Sequence, residues 1–229
     1  VSIQFSWERG QAAILALRDE SQRWTFSGTQ EQIVSLLSPF LEDPDIRLVF
    51  HYALADLWWL EDFGLIFPLD KVMAPLDDDD PDGYQTFFGW QKTFWTGPFD
   101  TMLAAHAVNE TSEFDLKEQA ILHTSLGNYS YRLQEWMRAN RGKVKESGFG
   151  ACPRSILFGE AISQTPFGSL VRSSYAGFDA DATYRLFEVY NTSLLDCDRF
   201  GLCCRIPFWI SLRASTAFYE MHKTGLAVD

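Results

Sequence analysis

Apolar and polar positions alternate from Val1 to Ser6, with Val1, Ile3 and Phe5 on one face, and this period of two predicts a strand. Glu8-Arg9-Gly10-Gln11 reads as a turn, and Ala12 to Leu17 as the strand returning from it. The period then changes. Thr29-Gln30-Glu31-Gln32 has the form of a capping box, and Ile33, Leu36, Leu37, Phe40 and Leu41 follow at helical spacing. Arg47-Leu48-Val49-Phe50-His51 is short and nearly all apolar, as a buried central strand would be. It runs into a helix from Ala53 to Phe63 that carries Asp56 in its first turns. Strand, helix, strand, helix predicts an α/β layer architecture.

Residues 64–99 interrupt the pattern. Asp77-Asp78-Asp79-Asp80, Pro81, Asp82 and Gly83 read as a solvated loop, and Phe87, Phe88, Trp90, Phe94 and Trp95 as local packing around an inserted element. A helix begins at Asp100-Thr101-Met102, with Asp100 as N-cap, and another at Asp115-Leu116-Lys117. Tyr131 to Arg141 is predicted helical. Gly148, Gly150 and Pro153 mark a loop, Gly159 to Ser169 reads as irregular, and Pro207 to Met221 is a last helix closed by Gly225. Between them lies the stretch with the sharpest periodicity, Tyr175 to Leu186. Phe178, Ala182, Leu186 and Val189 make one apolar stripe, with Tyr175 and Asp179 four apart at its edge, so a phenol and a carboxylate lie one above the other. Asp181 points away from that edge. A plain amphipathic helix with a solvated acid gives the same pattern.

Composition narrows the function more than the fold. With 229 residues, 46% hydrophobic, and 19 Phe and 8 Trp, a sizeable core can form. No apolar run is long enough to span a membrane, and Val1 opens no signal-peptide pattern. A formal charge of −12 argues against a broad basic surface for duplex DNA, but not against a small nucleic-acid site built from carboxylates and metal ions. Cys152, Cys197, Cys203 and Cys204 show no paired C-x-x-C spacing, which disfavours zinc and favours a reducing, intracellular setting. His106 and His123 read as packed or capping residues rather than metal ligands.

Three separated stretches together resemble the 3′–5′ exonuclease domain of family A DNA polymerases, in the DEDD nuclease superfamily. Phe50-His51-Tyr52-Ala53-Leu54-Ala55-Asp56-Leu57 is similar to the second exonuclease motif, a strand end followed by Asn-x-x-x-Asp. Asp56 fills the acid position, and Tyr52 stands where the family has a substrate-facing Asn. Phe99-Asp100-Thr101-Met102-Leu103-Ala104-Ala105-His106, with Asn109-Glu110 and Asp115-Leu116-Lys117, resembles the conserved helix pair of that domain. Tyr175 to Leu186 matches the Tyr-x-x-x-Asp third motif of the tyrosine ("DEDDy") branch. Residues 207–229 resemble the passage toward a polymerase thumb, so the likeness covers nearly the whole chain as one domain, 1–229. The segments around 64–99 and 154–169 are longer than usual for the family. The first family motif, Asp-x-Glu on a strand, has no counterpart here. Asp43-Pro44-Asp45 lies in a loop and Glu8 in a turn, so the expectation is a domain truncated before residue 1.

The resemblance implies a ribonuclease H-like mixed sheet flanked by helices, with Asp56 and Asp179 within roughly 10 Å of each other, the span of a two-metal centre with its ligand bonds. It implies two Mg²⁺ or Mn²⁺ ions, Asp179 as ligand of the metal carrying the nucleophile, Asp56 serving the second metal through water, and Tyr175 orienting the attacking water. The implied partners are the 3′ end of single-stranded DNA and a polymerase domain or subunit. The implied setting is cytoplasmic, in a bacterial or phage-encoded protein. Two other readings stand beside proofreading: a degenerate exonuclease fold acting as scaffold or single-strand guide, and a freestanding RNA-trimming nuclease. By ligand counting, a chain with only Asp56 and Asp179 holds metal poorly and is nearly inactive alone. The sheet edge beside Val1 to Ser6 is where a separate strand carrying Asp-x-Glu would dock.

Overall fold

A computed structural model of the chain describes residues 2–17, 28–43, 46–66, 98–111, 113–165, 168–172, 174–199 and 204–225. The acidic run at 77–80, the aromatic group at 87–95 and Asp45 lie outside the described residues. The chain divides into two compact units, one of Val1–Ser27 and Glu113–Val189 and the other of Gly28–Ser112 and Tyr190–Asp229.

In the first unit, β1 (Ser2–Glu8) and β2 (Gln11–Ala16) form the predicted antiparallel hairpin, in a register that pairs Ile3 with Leu15 and Phe5 with Ala13. Gly10 turns it at φ 76, a left-handed value that glycine adopts without steric cost. Helix α4 (Leu116–His123) starts at Asp115, whose carboxylate accepts the N–H groups of Lys117 at 2.9 Å and Glu118 at 3.4 Å. Helix α5 (Tyr131–Ala139) ends before Asn140, and α6 (Arg141–Ser147) continues from there, so the predicted single segment is two helices. A short α7 (Arg154–Leu157) follows.

Residues 159–169, expected to be irregular, are instead an antiparallel hairpin of β5 (Glu160–Thr165) and β6 (Gly168–Arg172). In the sequence Pro166 and Gly168 stand between two short β-prone runs, a pattern that a loop and a hairpin share. Helix α8 (Tyr175–Arg199) begins in this unit. Ser174 starts it by accepting the Gly177 N–H at 3.0 Å while donating to the Leu157 carbonyl at 3.2 Å. The predicted stripe is the buried one: Ala182 and Leu186 are wholly buried, and Phe178 and Val189 half-buried. Burial of a leucine of this kind contributes roughly 1.5–3 kcal/mol.

In the second unit, α1 (Gln30–Glu42) has the predicted capping box, with Gln32 N–H donating to Thr29 Oγ1 at 3.4 Å and Thr29 N–H to Gln32 Oε1 at 2.9 Å. Its apolar face is narrower than the spacing suggests. Ile33 is buried and Leu37 and Leu41 half-buried, whereas Leu36 and Phe40 are 70% and 57% exposed. The strand expected over 47–51 is only β3 (Val49–Phe50), half-buried and parallel to β4 (Phe99–Asp100), with Val49 opposite Phe99. Helices α2 (Ala53–Asp62) and α3 (Thr101–Val108) spring directly from these two strand ends.

The last helix, α9 (Arg205–Thr224), ends at Gly225, whose φ of 71 closes it as predicted. Its Phe208 stacks on Phe99 at a centroid distance of 4.9 Å, and its Tyr219 packs with Ala53 and Leu57 of α2. Tyr219 also donates to Glu61, and Lys223 pairs with Glu61 at 2.5 Å, which ties α9 to α2 at a second point.

The architecture is α/β and mostly helical. Among the described residues the strands form three separate two-stranded ladders, β1–β2, β3–β4 and β5–β6, rather than one continuous mixed sheet. Also among those residues, no helix is long and apolar enough to cross a membrane.

Candidate active site

The chemistry of the first unit gathers on the first turns of α8. Asp179 is half-buried, and Tyr175 lies one turn before it on the same helix, where the phenol and the acid affect each other's ionisation. A second phenol is present that sequence reading did not single out. Tyr129 Oη donates to Asp179 Oδ1 at 2.7 Å. The Tyr129 ring lies 6.2 Å from that of Tyr175 and 5.8 Å from that of Phe178, centroid to centroid. Lys117 Nζ sits 5.5 Å from the centre of the Tyr175 ring.

These neighbours act on Asp179 in opposite directions. Burial pushes its carboxyl above the usual range, and Asp115 adds to that, while Lys117 and the two neighbouring phenols pull it down. Both phenols are held well above their ordinary range, chiefly by burial and then by the charge of Asp179, so they stay protonated and act as donors.

Asp181 does point elsewhere, but it is not solvated. It is 3% exposed, accepts the Gly10 N–H at 2.9 Å, and forms an ion pair with Arg185 at 2.9 Å. Arg185 in turn donates to Ser125 Oγ at 3.0 Å. The acid two residues after Asp179 thus ties the β1–β2 turn to α8 and, through Arg185, to the chain after α4.

In the second unit the centre is Asp100, which is 1% exposed. The sequence identified it as the N-cap of α3, and its Oδ1 does accept Met102 N–H at 2.9 Å and Leu103 N–H at 3.2 Å. It also caps α2: Oδ2 accepts Ala53 N–H at 2.8 Å and Oδ1 accepts Tyr52 N–H at 3.2 Å. One carboxylate therefore serves the N-termini of two helices.

Beside it, Thr101 Oγ1 donates to the Phe50 carbonyl at 3.0 Å, so His51 Nδ1, 2.9 Å away, carries the proton it donates to that hydroxyl. Tyr52 stands at φ 70, ψ 63 with no side-chain capping bond, the one non-glycine residue among those described with a positive φ. Asn adopts that left-handed conformation far more readily than Tyr.

Asp56, one turn into α2, has an exposed surface, yet protein atoms crowd its carboxyl and Asp100 repels its charge. Crowding first and repulsion second push it up to about 6. Solvent access moderates that rise, and its upward direction is what the chemistry uses. Asp56 belongs to the second unit and Asp179 to the first. Tyr52 is 48% exposed beside Asp56 in sequence. His106 and His123 are exposed in the last turns of α3 and α4, so neither is packed inside the protein.

Asp56 and Asp179 are hard oxygen donors whose negative charge is held at a cost. A hard divalent cation such as Mg²⁺ or Mn²⁺ would relieve that cost. Among the described residues, however, no three Asp, Glu, His or Cys stand together to hold an ion. The donors fit such an ion in kind.

Each unit carries one candidate acid: Asp179, half-buried and hydrogen-bonded by Tyr129 on a Tyr-x-x-x-Asp helix, in the first, and Asp56, just after a strand end, in the second. The family model of the 3′–5′ exonuclease associated with family A DNA polymerases matches residues 1–194. The chain belongs to that 3′–5′ exonuclease family. No curated protein and no solved structure matches it significantly. The exonuclease match spans Asp56, Tyr175 and Asp179 together with Tyr129, and ends within α8.

Proposed function

We propose that this chain is a metal-dependent 3′–5′ DNA exonuclease domain that proofreads for a family A DNA polymerase, built on the family's ribonuclease H-like plan. The observation that carries the proposal is the Asp179 carboxylate, desolvated on α8 and hydrogen-bonded by Tyr129, with Tyr175 one turn before it on the same helix. In this reading Asp179 and Asp56 each contribute an oxygen ligand. Bound divalent ions would supply a water acidic enough to attack phosphorus and a counter-charge for the departing 3′ oxygen. Tyr175, protonated and beside Asp179, orients that water. Tyr52, exposed at the N-terminus of α2, contacts the terminal nucleotide. The substrate is the 3′ end of single-stranded DNA. A small site suits an acidic chain of net charge −12, which offers no broad phosphate-binding surface.

A second reading has a specific observation behind it. The sequence contains no Asp-x-Glu, and no acidic triad stands among the described residues. A chain of this kind either receives that motif from another segment or subunit, or serves as a guide for single-stranded DNA without cutting it.

One experiment separates the two readings. A 3′-labelled oligonucleotide is incubated with the protein in Mn²⁺, with and without a peptide strand that carries Asp-x-Glu. Exonuclease function predicts digestion when the strand is supplied. Asp179→Ala then abolishes it with the fold intact, and Tyr175→Phe weakens it less, because one orienting hydroxyl is lost while the acids remain. Equal digestion by wild type and Asp179→Ala refutes the assignment of Asp179. Tight binding without digestion, under every condition, establishes the guide instead.

A further inference from the structure

The geometry points to Tyr129 as a positioning residue for Asp179, a role that rests on the exonuclease reading above. An aspartate side chain turns about two bonds, so its own helix leaves several orientations of the carboxylate open. Tyr175 lies on the same helix as the acid, one turn earlier. Tyr129 grips Oδ1 at 2.7 Å from a different element, 50 residues away in sequence. A donor on a second element selects one of the orientations that the acid's own helix leaves open. Its remaining lone pairs are thereby pre-set to receive a reacting group, as a productive site requires.

Tyr129 is itself held firmly enough to do this. Gly127, at φ 61, turns the chain, and the Tyr129 N–H donates back to the Gly127 carbonyl at 3.0 Å. Ser130, next to it, is 1% exposed, donates to Asn128 Oδ1 at 3.0 Å and accepts from Gln134 Nε2 at 2.8 Å, so the turn is anchored to α5. Phe178 and Tyr175 bracket the ring. The attachment of α8 is carried separately, by buried Ala182 and Leu186 and by the bond from Asp181 to the Gly10 N–H. The Tyr129 hydroxyl is therefore devoted to Asp179.

The test has two independent arms, both on the full chain. The first is kinetic, under whichever condition above supports digestion. Tyr129→Phe lowers kcat about tenfold with KM for the oligonucleotide unchanged, the size typical of losing a partner that orients a ligand. Gly127→Ala shifts the turn without touching the hydroxyl, since a Cβ there meets nothing within 4 Å, and it lowers kcat in the same direction. The second arm needs no activity. The Tm shift caused by Tyr129→Phe in the wild-type background disappears when Asp179 is already Ala. An unchanged kcat in Tyr129→Phe, or the same Tm shift with and without Asp179, overturns the assignment. A wild-type protein that digests nothing under any condition sinks the exonuclease reading alone, and the Tm cycle still decides whether Tyr129 holds Asp179.

Discussion

Replacing Asp100 with Asn tests whether one buried carboxylate organises the second unit. The carboxylate accepts four main-chain N–H groups, from Tyr52, Ala53, Met102 and Leu103, at 2.8–3.2 Å. An amide oxygen in place of Oδ1 keeps three of these, each weakened because the acceptor is no longer charged. The amide NH₂ in place of Oδ2 meets the Ala53 N–H, donor against donor, at a residue only 3% exposed. Losing one hydrogen bond to a charged acceptor costs about 1.5–3 kcal/mol, and weakening three others adds a few tenths each. Asp100→Asn is therefore expected to destabilise by roughly 3 kcal/mol, a large share of a typical total of about 5–15 kcal/mol. Urea unfolding followed by fluorescence measures this directly.

The same substitution has a second, independent consequence. The charge of Asp100 is one of the two causes that raise Asp56, so its removal lowers the Asp56 pKa. Crowding by protein atoms is the larger cause, so Asp56 stays above its ordinary 3.8. Carboxyl-carbon NMR of Asp56 through a pH titration reads this shift. An Asp100→Asn variant within about 0.5 kcal/mol of wild type refutes the double-cap argument, and an Asp56 midpoint that does not fall refutes the charge coupling.

Asp56 also makes a prediction about pH. Its folded pKa, about 6, lies above the ordinary value, so between pH 4 and 6 the folded protein holds this proton more tightly than the unfolded chain does. The contribution of Asp56 to stability thus falls as pH rises through that window. Asp56→Asn removes the slope and stabilises at pH 7 by about 1 kcal/mol, the full shift being discounted for solvent access; a variant with the wild-type slope contradicts this. Asp181→Ala strands Arg185 and the Gly10 N–H, and is expected to cost about 3 kcal/mol in urea unfolding. Proteolysis or hydrogen exchange should show the β1–β2 turn loosening in this variant, and a turn that stays protected counts against the tie. Tyr52→Asn, in the left-handed position at φ 70, relieves about 1 kcal/mol of backbone strain; a lower midpoint in urea than wild type shows that the Tyr52 ring contributes more than its backbone costs.

Local chemistry was legible along the chain because it is written at short range. The capping box at Thr29 and Gln32, the caps at Asp100 and Asp115, the hairpin at Gly10 and the stop at Gly225 each depend on residues within about four positions. The Tyr175–Asp179 pair belongs to the same class, since one helical turn brings the two together whatever surrounds them. Misreadings arose where local signals compete or where burial is decided elsewhere. Pro166 and Gly168 signal a break equally well for a loop and for the hairpin that forms. Helical spacing put Leu36 and Phe40 on the buried face of α1, but which flank of a helix is covered depends on its neighbours.

Long-range pairing is what only the tertiary structure decided. Nothing near Asp100 in sequence announces that it caps α2, because Tyr52 and Ala53 lie some fifty residues before it and reach it only through the parallel pairing of β3 with β4. Nothing near Tyr129 announces Asp179, and tyrosines in turns are common. Asp181, set aside in the sequence because it points away from Asp179, gains its partner at Gly10 only when the β1–β2 turn packs on α8. A chain records the residues that can donate and accept within one turn of each other; which distant donor meets which acid depends on the packing of elements that no local period encodes.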